Sequence, residues 1–328
     1  MQQQIYYPYK VFNTSKKLCF LTGKPINSPE EQIYVFPQWL MSRFGLEDKP
    51  FKLLDESLST YKDLKLPCAA DTNEQYIEPL EREIEAAFNK GYEGLKGLDE
   101  HRLFLWVGKW LHGIVFNELH AARLQQQAEG LELTVSQSIL QRFTNLHIML
   151  QSLNLPIEFE DGFKPYSLFI FKVDNAADEF SYRDEMSTLT FSLRIADFGL
   201  VICLQDNGTI SRYQQKAYEQ IKDQTLHPIQ FEEFCARVFY SAYLFNRLPN
   251  YDIMPVGDTI YIEPQSLRGN SAKPIFDEWD VKTYGQVLEN FWKKWGFLLF
   301  EIIKDPDHPM SFLFDKEDGL LAAPDLPK

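Results

Sequence analysis

The sequence predicts an α+β fold, on three observations. Its 328 residues are 45% hydrophobic and 15% aromatic, enough to close a sizeable core over roughly two domains. The stretch 76–155 carries apolar residues at helical spacing. From 156 onward the chain opens with β-like runs and a strong turn signal, then returns to helical patterns. These observations predict a small irregular module over 1–95, a helical region over 96–155 and an α+β domain over 156–328. The last holds an antiparallel sheet with covering helices at the C-terminal end.

Residues 1–15 are aromatic and polar without a clear period and read as an extended arm. Residues 16–75 hold short β-like runs and several prolines, which suits a hairpin and a short helix over 37–44. Leu80, Ile84 and Phe88, at i, i+4 and i+8, predict a helix over Glu78–Phe88, with Gly91, Gly94 and Gly97 punctuating its end. Asp99 is the N-cap of the next helix. Its stripe of Leu103, Trp106, Val107, Trp110, Leu111, Ile114, Val115 and Leu119 is wide enough for a central, buried helix. Gly108 and Gly113 inside it each cost about 1 kcal/mol relative to alanine, so close packing is expected there. A third helix starts at Thr134 or Ser136 and carries Ile139, Phe143, Leu146 and Leu150, until Asn154 and Pro156 stop it.

Beyond that point, 166–173, 189–195 and 199–205 read as strands. Asp206-Asn207-Gly208 is a turn, because Asn-Gly readily adopts positive φ. A helix over 228–248 ends at Pro249, 258–263 is a strand, and 281–304 is the last long helix.

Charge restricts the partners. The net charge is −14, and both 1–95 (11 Lys/Arg against 14 Asp/Glu) and the remainder (22 against 33) are acidic. Nucleic-acid binding is mainly phosphate neutralisation, so this balance disfavours it, as it disfavours an anionic membrane surface. No apolar run approaches the roughly 18 residues needed to span a bilayer, and the first residues lack the basic and apolar regions of a signal peptide. Four cysteines are too few for a disulfide scaffold. The expectation is a soluble, cytoplasmic protein with reduced thiols, whose partner is another protein or a small ligand.

Two stretches carry the strongest motif signal. Cys19-Phe20-Leu21-Thr22-Gly23 and Pro67-Cys68-Ala69-Ala70-Asp71-Thr72-Asn73 each read as a C-x-x-C metal knuckle whose second cysteine is replaced, by Thr22 and by Asp71. Between them stands Val35-Phe36-Pro37-Gln38-Trp39-Leu40, and Leu80-Glu81 follows. Over about residues 18–82, this order resembles the zinc-knuckle branch of the HNH endonucleases. Members of that group show a C-x-x-C-G knuckle, an E-H-[IV]-F-P-x-W-L segment, and C-x-x-C-N-N followed by a Leu-Glu pair. The resemblance implies a ββα-metal module. It also implies vestigial knuckle positions at Cys19, Thr22, Cys68 and Asp71, and catalytic-equivalent positions at Tyr34, Thr72 and Asn73.

The departures from the family pattern are chemical. A structural zinc ion takes four ligands, and threonine is a very poor one. Tyr34 stands where the family has its histidine, and a phenol with a pKa near 10 is a poor base at neutral pH. Residues 1–95 contain no histidine, and losing a general base costs roughly 10²- to 10⁴-fold in rate. The expected reading is a degenerate, non-catalytic HNH-like protein, a pseudoenzyme acting in interaction or ligand sensing. It needs no cofactor, with residual zinc the exception. Packing around Phe36, Trp39 and Leu40 takes the place of the metal. Its rivals are a metal-dependent endonuclease, with Cys19, Cys68 and Asp71 as ligands and His101 as base, and a nucleic-acid-binding module without catalysis.

Other candidates have simpler explanations. His112 and His120 lie eight apart on one helix, too distant for one ion, and read as packing or surface residues near Glu118. His147 reads as an interior histidine, His227 as a helix start, and Cys203 and Cys235 as small core residues.

Overall fold

The computed structural model describes residues 4–11, 16–53, 57–130, 135–174, 178–268, 272–305, 308–315, 317 and 319–321. The fold is α+β, built from helices and several small antiparallel or mixed sheets. Its contacts divide the chain into two units. One comprises Met1–Asn89, Leu98–Phe163 and Asn250–Gln265; the other comprises Lys90–Gly97, Lys164–Pro249 and Ser266–Lys328. Among the described residues, no helix is long and apolar enough to cross a membrane.

In the first unit, β1 (Gln32–Tyr34) pairs antiparallel with β2 (Lys65–Pro67), Tyr34 opposite Lys65. Helix α1 (Gln38–Phe44) starts after Pro37 and stops at Gly45, whose left-handed φ of 58° closes the last turn. Phe36 is fully buried, with its ring 4.9 Å from Trp110 and 5.5 Å from Phe51. Trp39 meets Phe88 edge-on at 5.5 Å. Helix α2 (Glu78–Phe88) is entered through a helical turn at Ala70–Thr72 and a π-helical stretch at Asn73–Ile77.

Helix α3 (Glu100–Ala128) begins where the Asp99 carboxylate accepts the His101 N–H at 2.9 Å. Every residue from Leu103 to Asn117 is buried, so the helix is enclosed on all sides there. Helix α4 (Gln137–Leu150) begins at Ser136, whose hydroxyl accepts the Ile139 N–H; Thr134 lies outside the described residues. The two glycines of α3 sit where neighbours crowd the backbone. A Cβ on Gly108 would lie 3.1 Å from Leu150 and 3.2 Å from Leu146, and one on Gly113 would lie 2.6 Å from Val35. The missing side chains let α4 and the end of β1 approach. Ile157–Phe159 runs parallel to Thr259–Pro264, which forms a hairpin with Tyr251–Val256.

The second unit is built on a five-stranded sheet of β3 (Ser167–Val173), β4 (Ser181–Glu185), β5 (Thr190–Ile195), β6 (Phe198–Cys203) and β7 (Thr225–Leu226). The order is β7-β3-β6-β5-β4, antiparallel except for β7 against β3. Every residue of β5 and β6 is buried. Strands covered on both faces read as continuous apolar runs; β6 does, whereas β5 alternates Thr190, Ser192 and Arg194 with apolar residues and buries them all. The longer helices of this unit are α5 (Gln215–Ile221), α6 (Pro228–Leu244) and α7 (Val281–Phe291). Helix α6 comes close to the sheet at Gly199, where a Cβ would lie 2.4 Å from Phe231. It starts at His227, whose Nδ1 accepts the Ile229 N–H at 3.2 Å, while Gln230 accepts the His227 N–H at 3.0 Å. Asn207 and Gly208 both adopt left-handed φ, 52° and 65°, as the Asn-Gly turn requires.

Several boundaries differ from the sequence reading. Helix α6 ends at Leu244, not 248. The predicted helix over 281–304 breaks after Phe291 because Trp292 turns inward and Gly296 takes φ 79°; it resumes only at Leu299–Ile302. The glycines at 91, 94 and 97 bracket a further short helix, Gly91–Lys96, whose Tyr92 N–H is accepted by Asp197 at 2.8 Å. The N-terminal arm is not extended throughout: Pro8–Val11 forms a 3-10 turn.

Candidate functional site

The knuckle loop is built by backbone hydrogen bonds. The Cys19 N–H donates to the Lys24 carbonyl at 2.7 Å and the Gly23 N–H to the Cys19 carbonyl at 2.9 Å. Gly23 takes φ 70°, and a Cβ there would lie 2.6 Å from the Tyr6 ring, so the position is open to glycine on two counts. The Phe20 N–H then donates to the Pro67 carbonyl at 2.7 Å, which ties the loop to the end of β2. This strap brings Cys19 and Cys68 together across 49 residues of sequence, and both are fully buried.

The two thiols are neighbours and shift each other's titration in opposite directions. The Cys19 thiol is held below its ordinary pKa, first by the Cys68 S–H and then by the Thr22 hydroxyl and the backbone N–H groups of Ala69 and Thr22; burial opposes them. The Cys68 thiol is pushed up by its Cys19 neighbour and by burial. Its S–H donates to the Ala69 carbonyl at 3.7 Å. Two coupled thiols thus lie where the family resemblance implies a metal.

The residues present do not fit a structural zinc ion. Thr22 supplies a hydroxyl turned to Cys19. Asp71 is turned away: its Oδ2 accepts from Lys24 Nζ at 2.6 Å in a half-exposed ion pair, and this charge partner holds its carboxyl below the usual range. Among the described residues, no group of three or more His, Cys, Asp or Glu is arranged to hold a metal ion. The sequence-predicted knuckle positions are therefore neighbours, but they pair with each other and with Lys24.

The catalytic-equivalent positions are each engaged locally. Lys65 Nζ lies 5.0 Å above the Tyr34 ring. The Thr72 hydroxyl is buried and donates to Asp71 Oδ1 at 3.2 Å. Asn73 donates to Glu78 at 2.9 Å. His101, the base of the rival reading, bonds Ser152 at 3.2 Å and packs between Phe104 and Phe159.

Two polar clusters beside the knuckle escape sequence reasoning. Lys109, buried in α3, forms an ion pair with Glu81 of α2 and donates to the Tyr34 carbonyl at 3.4 Å. Trp106 Nε1 donates to the other Glu81 oxygen at 3.0 Å. The available signal was a lysine inside an otherwise apolar helical stripe. In the second cluster the His112 and His147 rings stand 5.1 Å apart, both fully buried. His147 Nε2 meets the Phe20 carbonyl at 2.6 Å, and Tyr9 bonds His112 Nδ1 at 3.2 Å. Burial holds both imidazoles below their ordinary pKa, His147 at about 4. Gln151 clasps the arm by accepting the Tyr6 N–H at 2.8 Å and donating to the Tyr6 carbonyl at 2.9 Å. His120 is separate, stacked on Phe116.

Compared with protein-family models, curated proteins and solved structures, the chain matches none. The HNH-like resemblance rests on the chain's own residues.

Proposed function

We propose that this chain is a non-catalytic HNH-like protein that acts by binding, as a small-ligand sensor or an interaction module. The observation that supports this reading is the contact between Cys19 and Cys68. The coupled thiols, and the Lys24–Asp71 ion pair that engages the carboxylate of the second knuckle, support a site that no longer relies on a metal. The unit is held instead by aromatic packing around Phe36 and Trp39 and by the buried Lys109–Glu81 pair. A tyrosine, Tyr34, stands where the family has its histidine, and the acidic total supports a partner other than nucleic acid. Four free, buried cysteines support a reducing, cytoplasmic setting.

The test is plasmid nicking by the purified full chain with Mg²⁺, Mn²⁺ and Zn²⁺, alongside elemental analysis. The expected outcome is no nicking and zinc well below one ion per chain. Nicking that disappears in Tyr34→Phe or Asp71→Ala, or stoichiometric zinc lost in Cys19→Ser, overturns the reading.

A further inference from the structure

In the second unit, helix α6 places Glu233, Arg237 and Ser241 on successive turns of one face. Glu233 is buried and accepts from the Ser311 hydroxyl at 2.7 Å and from the N–H groups of Phe312 and Leu313 at 2.6 and 3.0 Å. Its oxygens are therefore engaged by the 311–313 segment, and Arg237 acts on its charge through space. Ser241 donates to the Arg237 carbonyl and accepts from Gln214 Nε2, both at 2.7 Å. The other end of that amide, Gln214 Oε1, accepts from Arg237 Nε at 3.3 Å. Arg237 is thus aimed by a fully used amide, with the Tyr284 hydroxyl beside its guanidinium.

The guanidinium lies between two aromatic walls, 5.7 Å from the Trp279 ring centre and 6.0 Å from that of Phe314. Among the described residues it forms no ion pair with a carboxylate. The buried Tyr284 hydroxyl, a neighbour of the guanidinium, finds no acceptor among the described residues. These groups open on a cleft of about 760 Å³ that Tyr213, Lys216 and His308 also line. The carboxylate on its wall, Asp315, accepts the N–H groups of Glu317 and Gly319 at 2.8 Å each and so closes its own turn. In a chain with 47 acidic residues against 33 basic ones, a half-buried guanidinium bonded to no carboxylate, with Glu233 sensing it only through space, is a cation with room for a charge from outside.

We infer that this cleft binds a small organic anion carrying a flat ring. The guanidinium fork suits a carboxylate or phosphate, which takes two parallel N–H bonds. The rings of Trp279, Phe314 and Tyr213 suit a planar apolar body, and the volume falls in the range of small-molecule sites. Aryl carboxylates and mononucleotides share this chemistry. The assignment deepens the ligand-sensing reading above and rests on it.

The test uses the intact chain and 8-anilinonaphthalene-1-sulfonate, itself a flat aromatic anion, followed by energy transfer from tryptophan. Binding is expected to saturate at one site. Arg237→Met weakens it by at least about 10-fold, the scale of a charged hydrogen bond, whereas Lys222→Met, outside the cleft, leaves it unchanged. Arg237→Lys keeps the charge but loses the fork, and falls between. Should Arg237→Met fail to fold by circular dichroism, Arg237→Lys and Trp279→Leu carry the test. Displacement by indole-3-carboxylate identifies a carboxylate site, and displacement by adenosine 5′-monophosphate a phosphate site. Dye binding that is unchanged in the folded Arg237 variants, or is displaced by neither anion, overturns the assignment and leaves the non-catalytic reading intact. DNA nicking by the same preparation counts against that reading instead.

Discussion

His147 donates its Nε2–H to the carbonyl oxygen of Phe20 at 2.6 Å, across 127 residues of sequence. A carbonyl only accepts, and Gln151 Nε2 approaches the other ring nitrogen at 3.2 Å as a donor. Burial keeps the ring neutral, against the Phe20 and Tyr6 backbone groups, which favour its charged form. Burial lowers its pKa from 6.5 to about 4. The unfolded chain takes up this proton at higher pH than the folded chain does. Stability is complete above pH 6.5 and falls as pH drops towards 4, by up to ~3 kcal/mol for this group. Denaturant unfolding at pH 7.5 and at pH 5 checks this. The stability advantage of the native chain over His147→Gln shrinks at pH 5, and a pH-independent difference rejects the neutral clamp.

The Lys109–Glu81 pair is buried on the lysine side and nearly so on the other. Removing one partner strands a charge. Lys109→Met is expected to destabilise by about 3 kcal/mol. Adding Glu81→Gln recovers part of that loss, a coupling of more than ~1 kcal/mol in the double-mutant cycle. Additive losses would show that the two charges do not sense each other.

Gly113→Ala sets helix propensity against packing. Alanine gains about 1 kcal/mol as a helix former, but its methyl meets Val35 at 2.6 Å. Overpacking of this kind costs about 1–3 kcal/mol, so the variant is expected to melt lower than the native chain. An equal substitution at Gly130, whose Cβ meets nothing, calls on a different penalty, its φ of 75°. A higher melting temperature for Gly113→Ala would show that β1 yields freely.

Restoring the knuckle tests the resemblance directly. The double substitution Thr22→Cys with Asp71→Cys supplies four thiols on the two loops that Phe20 and Pro67 hold together. It is expected to bind one Co²⁺ with the intense thiolate-to-metal absorption of a tetrahedral site, and zinc is expected to raise its melting temperature. A double variant that ignores both ions denies the loops a knuckle geometry.

The long helices were legible because their apolar spacing and caps agree: Asp99 and Ser136 cap as their sequence context demands. The tight glycines of α3 were legible too, because a costly residue inside a stripe signals a close neighbour. The knuckle positions were legible as a motif and lie together, but the coupling of the Cys19 and Cys68 thiols was not, since spacing says nothing about which thiol holds its proton more firmly. Pairs such as Phe20 with His147, or Lys109 with Glu81, join distant segments and leave no local pattern. Strand β4 is polar and half-exposed, so it lacks the alternation that would have marked it. The break after Phe291 depends on Trp292 finding a buried site, a tertiary event that overrides a helical stretch.

Ile157–Phe159 has its parallel neighbour at Ile260–Ile262. During synthesis the ribosome must therefore deliver roughly a hundred further residues before this strand finds its mate, a long closure that stiff local contacts cannot shorten. Until then the nascent chain exposes an open strand edge, a target for chaperones and for misassembly. A fragment ending at Phe163 is frozen at that vulnerable moment, however complete its helices are.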